Sequence, residues 1–465
     1  MSDAQPLPTD ASIDPPVKQV LILGLGISGP LAALAILQRA TVPTVTIYEL
    51  KSEPTTIGGG IQVSPNAQRL LERLGVPILS FAGATPTQLY QNQHSSCIGI
   101  LKYGGPTDPY ARGSIGSRVL RSDLLQGLLR ALEKYREEGR LKIIFGKRAE
   151  KVEEDESGVT IRFSDGDVAR GDMLIGADGI HSFTRRQLYP ETGDSNAPAP
   201  RAVYSGVTTI YGVVPSSKIP ASALEPLSHH QSIRTISPHE GLFAISYATA
   251  SRSHVHWFSS RTPHIPPSEN DPEPEPDVVR ESLLKDYGNH PAPIPDLLKA
   301  TEHIYYWPVF RLFPLPDRWY SPGGRIILVG DAAHAMPPHA AQGIGMGVED
   351  SVLVARIIAA LEQRAREIAN LAKRGKSMRN KVGLSGELWG REYQAKRVER
   401  IRHFTKHAEG QGRARKDSGW LIGIAREWAM WFAFPLINWI SRFGIYDIQG
   451  WGYDPDEEIV KLEGL

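Results

Sequence analysis

The sequence predicts an α/β chain in which a parallel-sheet domain is interrupted by an inserted antiparallel sheet and followed by C-terminal helices. Three observations carry that prediction. A short apolar run, Lys18 to Leu23, meets a glycine cluster and then a stretch rich in Leu and Ala. Between about residues 190 and 315 the period changes to apolar–polar alternation, as expected of strands with one covered face. From Arg325 an apolar run, a tight turn and a helix-forming stretch appear again, so the first domain is split in sequence. The expected divisions are a flexible tail at 1–16, the parallel-sheet domain at 17–190 and 316–385, the inserted sheet at 191–315 and a helical region at 386–465.

Each element follows from local chemistry. The tail, Met1 to Pro16, is polar and proline-rich and has no secretory signal pattern. Gln19 to Leu23 has the length and branched residues of a buried strand, and Thr44 to Tyr48 reads as its parallel partner. Pro65 to Leu74 and Asp123 to Glu138 read as helices; Lys142 to Phe145, Val159 to Phe163 and Asp172 to Ile175 read as strands. In the insert, Ala202 to Val214, Leu242 to Tyr247 and His254 to Ser259 alternate. Pro263 to Pro276, rich in proline and acids, reads as an exposed loop. Gly347 to Leu361 and the charged Leu388 to Arg415 complete the helices.

Composition excludes several classes of function. Lys and Arg number 52 against 51 Asp and Glu, so no field attracts a polyanion and nucleic acid is not an expected partner. The single cysteine, Cys97, excludes an internal disulfide and suits a reducing, cytoplasmic compartment. No run of about 20 apolar residues is present, so no spanning helix is expected. Trp420, Trp428, Trp431, Trp439 and Trp451 cluster near the C-terminus. Their burial against the catalytic body is the first expectation; peripheral membrane contact, or an entrance for a lipophilic substrate, is the alternative. The basic run Arg397 to His403 reads as a solvated helix face. No metal-ligand spacing is visible, and no oligomeric state is specified.

The glycine cluster Gly24-Leu-Gly-Ile-Ser-Gly29 carries the first chemistry. It follows a strand and opens a helix, and Glu49 closes the next strand about 20 residues beyond, which is the context of a dinucleotide site. Gly24 permits the tight turn, Gly26 lets backbone approach a pyrophosphate, and Gly29 lets the helix pack on the strand. The helix N-terminus offers N–H groups and partial positive charge to phosphate, while Glu49 would accept from ribose hydroxyls. Two later segments also follow strands: Gly176-Ala-Asp-Gly-Ile-His-Ser-Phe-Thr-Arg-Arg186 and Gly330-Asp-Ala-Ala-His-Ala-Met-Pro-Pro-His-Ala-Ala-Gln-Gly343.

Together these three segments resemble the group A flavin monooxygenases, the para-hydroxybenzoate and salicylate hydroxylase-like enzymes, over about Lys18 to Arg402. Shorter echoes are Gly59-Gly-Ile-Gln-Val-Ser-Pro-Asn66, Val119-Leu-Arg-Ser-Asp-Leu124 and Trp451-Gly-Tyr-Asp454. The fold class implied is an FAD-binding Rossmann-like domain of the glutathione-reductase type, with the inserted sheet as substrate domain. The resemblance implies FAD contacts at Gly24, Gly26, Gly29, Glu49, Gly60, Arg121, Asp178, Gly179, Asp331, Gly343 and Gly345. Asp331 would accept from a ribityl hydroxyl, Arg121 would lie near the pyrophosphate, and Asp178-Gly179 would serve FAD and nicotinamide, with Arg185 or Arg186 as a phosphate partner. Pro337 and Pro338 would border the flavin ring.

The sequence departs from relatives at two places. Ala340 and Gly345 stand where many relatives carry Gly and Asn, and Tyr211 stands roughly where some carry an active-site Arg. No substrate-binding arginine is therefore transferred. Tyr211, His254, His256 and Pro338 are the candidates on the catalytic side; His254 and His256 share one strand face. His334 is read as structural or as a flavin-edge residue.

With one glycine-rich site, NADPH or NADH would bind transiently as co-substrate. The expected reaction is reduction of FAD, then transfer of one oxygen atom from O₂ through a flavin C4a-hydroperoxide to a small aromatic or polycyclic molecule, as in secondary metabolism. Ring hydroxylation is the first expectation and alkene epoxidation the second. A Baeyer–Villiger-type oxygenase and a flavin dehydrogenase or reductase remain as alternatives.

Overall fold

The computed structural model describes residues 17–54, 58–189, 200–237, 241–263, 274–373, 386–413, 419–447 and 450–460. The N-terminal tail and most of the Pro263–Pro276 loop lie outside the described residues.

Five parallel strands form the first sheet, in the order Ile326–Leu328, Met173–Gly176, Gln19–Leu23, Thr44–Tyr48 and Leu141–Ile144. Alternation along the strands assigns its two faces. Val20, Ile22, Val45, Ile47, Met173 and Ile175 bury against the helices Ser28–Arg39, Arg121–Glu137 and Gly343–Lys373. Leu21, Leu23, Tyr48 and Leu174 face a three-stranded antiparallel sheet, through Val159, Ile161 and Phe163. Its outer strands, Ala149–Asp155 and Val168–Gly171, were not among the expected elements; their charged exposed residues hide the alternation. The chain leaves Gln19–Leu23 toward one side for Thr44–Tyr48 and later occupies the other side with Met173–Gly176. A crevice therefore opens at the carboxyl end of the first strand, the place where such sheets bind ligands.

The second large sheet has seven strands, in the order Ile304–Phe313, Arg201–Pro215, His254–Arg261, Gly241–Tyr247, Ser232–Ser237, Thr87–Asn92 and Cys97–Lys102. Its last two strands come from ahead of residue 191, so the sheet is not confined to the expected 191–315. The pairing that recruits them, Ser232–Ser237 with Thr87–Asn92, is parallel and long-range, which alternation cannot forecast.

The two faces of this sheet differ sharply. Ile210, Val214, Ile233, Phe243, Ile245, Val255 and Trp257 bury one face under the helices Ala221–His230, Pro276–Tyr287 and Ile294–Ala300. Hydrogen bonds tie this face to its helices: Trp257 Nε1 donates to Thr301 Oγ1 at 2.8 Å, and Ser259 Oγ lies 2.9 Å from the Tyr287 hydroxyl. The register puts Tyr211 opposite Phe258, Phe258 opposite Ala244, Ala244 opposite Arg234 and Arg234 opposite Tyr90. That row faces the parallel-sheet domain.

The helix Gly419–Arg442 corrects the reading of the tryptophans. It lies along the edge strand Cys97–Lys102, where Asn438 accepts from Lys102 N at 3.0 Å and donates to Ile100 O at 2.8 Å. Phe434 is buried against Tyr90, ring centroids 4.7 Å apart. Trp428, Trp431 and Trp439 are 61, 54 and 53 % exposed, beside exposed Leu421, Phe432 and Leu436. One narrow side of the helix reaches the sheet, and the rest of its apolar surface faces out. Trp451 is buried as expected, edge-on to Tyr103 at 5.1 Å, and the Trp420 side chain lies outside the described residues.

Candidate functional site

The loop after Gln19–Leu23 is built for close approach. Gly24 N donates to Tyr48 O at 2.9 Å, and its φ of +105° favours glycine. A Cβ at Gly24 would stand 2.5 Å from Ala177 O, and one at Gly29 only 2.0 Å from Gly24 O. Glu49 holds the turn from the next strand: Oε2 accepts from Leu25 N at 2.7 Å and Oε1 from Lys51 N at 2.9 Å. No side chain caps the helix Ser28–Arg39. Gly26 is unobstructed, with the exposed Arg121 guanidinium 3.7 Å from its would-be Cβ. An uncapped helix end, a bare glycine backbone and a cation thus share one crevice, a donor set that suits a pyrophosphate.

The third segment meets the first at Ser28. A Cβ at Gly330 would stand 2.3 Å from Ser28 Oγ, and one at Gly347 would stand 3.0 Å from it. Asp331 begins the next turn, Asp331–His334, and is exposed, with protein atoms packed closely around its carboxylate. Burial pushes its pKa up, His334 and Arg121 pull it down, and Asp350 pushes it up again; the net direction is upward.

Behind Asp331 lies a buried ionic cluster that sequence reading missed. Asp350 Oδ2 accepts from Gly330 N at 2.9 Å and meets His334 Nε2 at 2.6 Å; Asp350 Oδ1 accepts from Arg397 Nε at 2.8 Å. Arg397 also meets Glu349 at 2.6 Å, and Arg400 forks onto Glu349 with two bonds of 2.7 Å. Burial disfavours the Asp350 carboxylate, but His334 and Arg397 outweigh it and hold the group down to about 2. Glu349 is likewise lowered, burial being overcome by Arg400 and Arg397. The run Arg397 to His403 is therefore not a solvated face: Arg397 is wholly buried and pins the charged helix to the cofactor segment. His334 is part of that scaffold.

The remaining cofactor candidates divide. Gly345 is buried where a Cβ would meet Gln342 Oε1 at 2.6 Å, while Gly343 is open. Asp178 is turned inward, accepting from Ser182 Oγ at 2.5 Å, Thr184 N at 2.8 Å and Thr184 Oγ1 at 2.9 Å; Gly179 takes a φ of +79° in that turn. Arg185 is buried and donates to Ala332 O and Ile180 O, and Arg186 donates to His181 O. Arg185 is thus turned inward, whereas Arg186 is exposed. Pro338 is exposed at the start of a short turn, Pro338–Ala340, in which His339 is buried.

Three successive glycines join this crevice to the second sheet. A Cβ at Gly58 would meet Arg121 at 2.7 Å, one at Gly59 the Tyr211 ring at 2.4 Å, and one at Gly60 the His256 ring at 2.5 Å. Tyr211 stacks on Tyr305 at 5.0 Å, and His256 lies 5.9 Å from Phe258. His256 is buried, its Nδ1 without a partner, and its pKa is pushed well below the usual value by burial and then by Arg118. His254 shares the strand face but stands at the sheet's end, 3.0 Å from Ser253 Oγ. The structure thus brings Tyr211 and His256 together, ring centroids 6.1 Å apart, with His254 at the end of the same strand. Arg118, Arg234, Phe258 and Tyr90 were missed. Their signal was a charge or ring at the polar phase of an alternating strand, which reads as solvent-facing until the covering domain is known.

Residues 18–373 match the family described as "FAD binding domain". The chain belongs to the group A FAD-dependent monooxygenases. It is similar to the FAD-dependent monooxygenase sor5 of Hypocrea jecorina, 29% identical over 76% of this chain and 77% of that protein. Similarity to 3-amino-4-hydroxybenzoate 2-monooxygenase PtmB3 of Streptomyces platensis is 30% over 74% and 80% of the two chains. Among solved structures, Klebsiella pneumoniae HpxO complexed with FAD and uric acid superposes with a TM-score of 0.70 at 23% identity, over 91% of this chain and 95% of that one. This monooxygenase accordingly uses FAD, and its Gly24–Gly29 crevice fits that cofactor.

Proposed function

We propose that this monooxygenase takes reducing equivalents from NADPH or NADH and inserts one atom of O₂ into an aromatic substrate lying against Tyr211, His256 and Phe258. The observation that carries this reading is the glycine run Gly58–Gly60, which spans from Arg121 on the cofactor side to Tyr211 and His256 on the sheet side. FAD would supply the O₂ activation, and the chain would supply placement. Gly24, Gly26, Gly29 and Arg121 would hold the pyrophosphate, Glu49 the adenosine ribose and Asp331 a ribityl hydroxyl. Gly60, Gly343 and Gly345 would admit the flavin end, with Pro338 at its border and Asp178–Gly179 shaping the adjacent turn. His256, neutral and with Nδ1 unpartnered, would accept a hydrogen bond from a phenolic hydroxyl and so orient the ring. Ring hydroxylation is favoured because the facing side chains are aromatic, and the Streptomyces relative's name describes an aromatic-ring monooxygenase.

The test is turnover of holoenzyme with a panel of phenols and aromatic acids under ¹⁸O₂, preceded by anaerobic reduction with each nicotinamide. Product carrying one labelled atom, with reduction accelerated by substrate, is expected. Product without label refutes the oxygenase reading and favours a dehydrogenase.

The exposed face of Gly419–Arg442 supports a second element, peripheral contact with a membrane surface. Trp428, Trp431, Phe432 and Trp439 form an aromatic flank of the kind that sits at lipid headgroups. No helix among the described residues is long and apolar enough to cross a membrane. Co-sedimentation with phosphatidylcholine–phosphatidylserine vesicles, lost when Trp428, Trp431 and Trp439 become Ser, is expected. Self-association in solution without vesicle binding refutes it.

A further inference from the structure

The stretch Gly450 to Glu458, which contains Trp451-Gly-Tyr-Asp454, has four acidic residues and no basic one, and lies beyond the 18–373 stretch that matches the FAD family. It runs without helix or strand as a strap across the cofactor domain and is tied to four helices. On Ser28–Arg39, Arg39 gives Asp456 two bonds of 3.0 Å. On Gly343–Lys373, Arg356 donates to Pro455 O; on Gly386–Arg413, Lys396 meets Glu458 at 3.0 Å. The fourth helix, Pro65–Arg73, is held through two arginines. Arg69 donates to Trp451 O at 3.0 Å and to Tyr453 O at 3.1 Å. Asp454, its side chain fully buried, meets Arg73 at 2.6 Å and Arg69 at 3.6 Å.

Three of these helices begin beside the glycines of the cofactor crevice, and the fourth reaches it through Arg397. A chain of buried polar contacts leads from the strap to the start of Gly343–Lys373. Arg400 donates to Gly450 O at 2.7 Å, lies 4.6 Å from the Tyr453 ring centre and forks onto Glu349. Glu349 Oε1 accepts from Asn66 Nδ2 at 2.7 Å, and Asn66 Nδ2 stands 3.3 Å from Gln342 Oε1, the atom that a Cβ at Gly345 would strike. Glu349, Asn66 and Gln342 are all buried. Arg69 stands within electrostatic reach of this chain. Burial lowers its pKa, Asp454 raises it most, and Glu349 raises it as well. Asp454 therefore keeps the Arg69 charge off Glu349.

We propose that Asp454 is a positioning residue for FAD: by holding Arg69 it leaves Glu349 to Asn66 and Arg400, and so fixes Gln342 and the Gly343–Gly345 turn. The inference rests on the placement of the flavin at that turn proposed above. Without the Asp454 charge, Arg69 is a buried cation that has lost its nearest countercharge, a costly state. The other carboxylate acting on it is Glu349. An ion pair from Arg69 to Glu349 displaces Asn66, and Gln342 loses its support.

Full-length apoprotein is titrated with FAD by fluorescence quenching, and the melting temperature and bound-flavin absorption spectrum of each variant are recorded. Asp454→Asn is expected to weaken FAD about tenfold or more and to shift the visible flavin band. Leu283→Ala, in the core beneath the seven-stranded sheet, loses stability alone: it should melt lower and keep FAD affinity within about twofold of the wild type. Arg69→Gln added to Asp454→Asn removes the stray cation and should restore affinity to within about threefold. The proposal is overturned if Asp454→Asn binds FAD as the wild type does, if Leu283→Ala loses as much affinity, or if the double variant is not restored. Should Asp454→Asn not fold alone, the double variant decides by the same threshold. Gly345→Ala, whose Cβ would stand 2.6 Å from Gln342 Oε1, separates the strap from the flavin placement. An unchanged flavin spectrum in Gly345→Ala refutes that placement and the proposal with it. A changed one, beside an unchanged Asp454→Asn, refutes the role of the strap alone.

Discussion

Replacing Arg397 by Ala removes the centre of the buried ionic cluster. Arg397 holds Asp350 through Nε at 2.8 Å and Glu349 through Nη1 at 2.6 Å, all three side chains being fully buried. Loss of one partner of such a pair costs about 3–5 kcal/mol because a charge is left uncompensated. Glu349 keeps two bonds from Arg400 at 2.7 Å, and Asp350 keeps His334 and Gly330 N, so the lower end, about 3 kcal/mol, is expected. Urea unfolding of the FAD-loaded protein, followed by circular dichroism and flavin fluorescence, reads the effect. Because Asp350 also holds Gly330 N beside Asp331, FAD affinity should fall together with stability. Arg402→Ala is the control: its pair with Glu399 is exposed, and a change within about 0.5 kcal/mol is expected. An Asp350→Asn change added to Arg397→Ala should recover part of the loss. A loss below about 1 kcal/mol, or one equal to that of Arg402→Ala, refutes the assignment of this cluster as the clamp between helix and cofactor segment.

Asp350 also predicts acid sensitivity. Held down to about 2 by His334 and Arg397 against an unfolded value near 3.9, it contributes stability above pH ~4 that is lost as pH falls toward ~2. The wild type should lose stability in that window more steeply than Asp350→Asn, as measured by urea midpoints at stepped pH. Glu49→Ala should weaken FAD binding roughly tenfold or more, because it releases Leu25 N and a charged acceptor for ribose. Fluorescence titration of the apoprotein measures this, and an unchanged affinity removes Glu49 from the site. Gly29→Ala puts a Cβ 2.0 Å from Gly24 O, so the loop must shift and retained FAD should drop sharply. Normal flavin content in that variant would overturn the cradle. Asp331→Ala should lose FAD or, when reconstituted, release more H₂O₂ per NADPH; coupling equal to the wild type argues against its placement role.

The cofactor half was readable in the chain because its signals are local. A strand, three glycines and a following helix are set within a few residues, and the glycines are demanded by backbone contacts: Gly24 by Ala177, Gly29 by Gly24 itself. The parallel strands, buried on both faces, announced themselves as branched apolar runs. Everything that depended on what covers a surface was decided by tertiary structure. The Arg397 run has the composition of a solvated helix face, and only the position of Glu349 and Asp350 makes it a buried clamp. Trp428, Trp431 and Trp439 have the composition of a core, and only the narrow contact of their helix with an edge strand leaves them outside. Arg118 and Arg234 read as outward charges, and only the meeting of two sheets encloses them. Alternation along a strand tells which residues share a face; it carries no information on whether water, a helix or another domain lies against that face, because that is set by contacts distant in sequence.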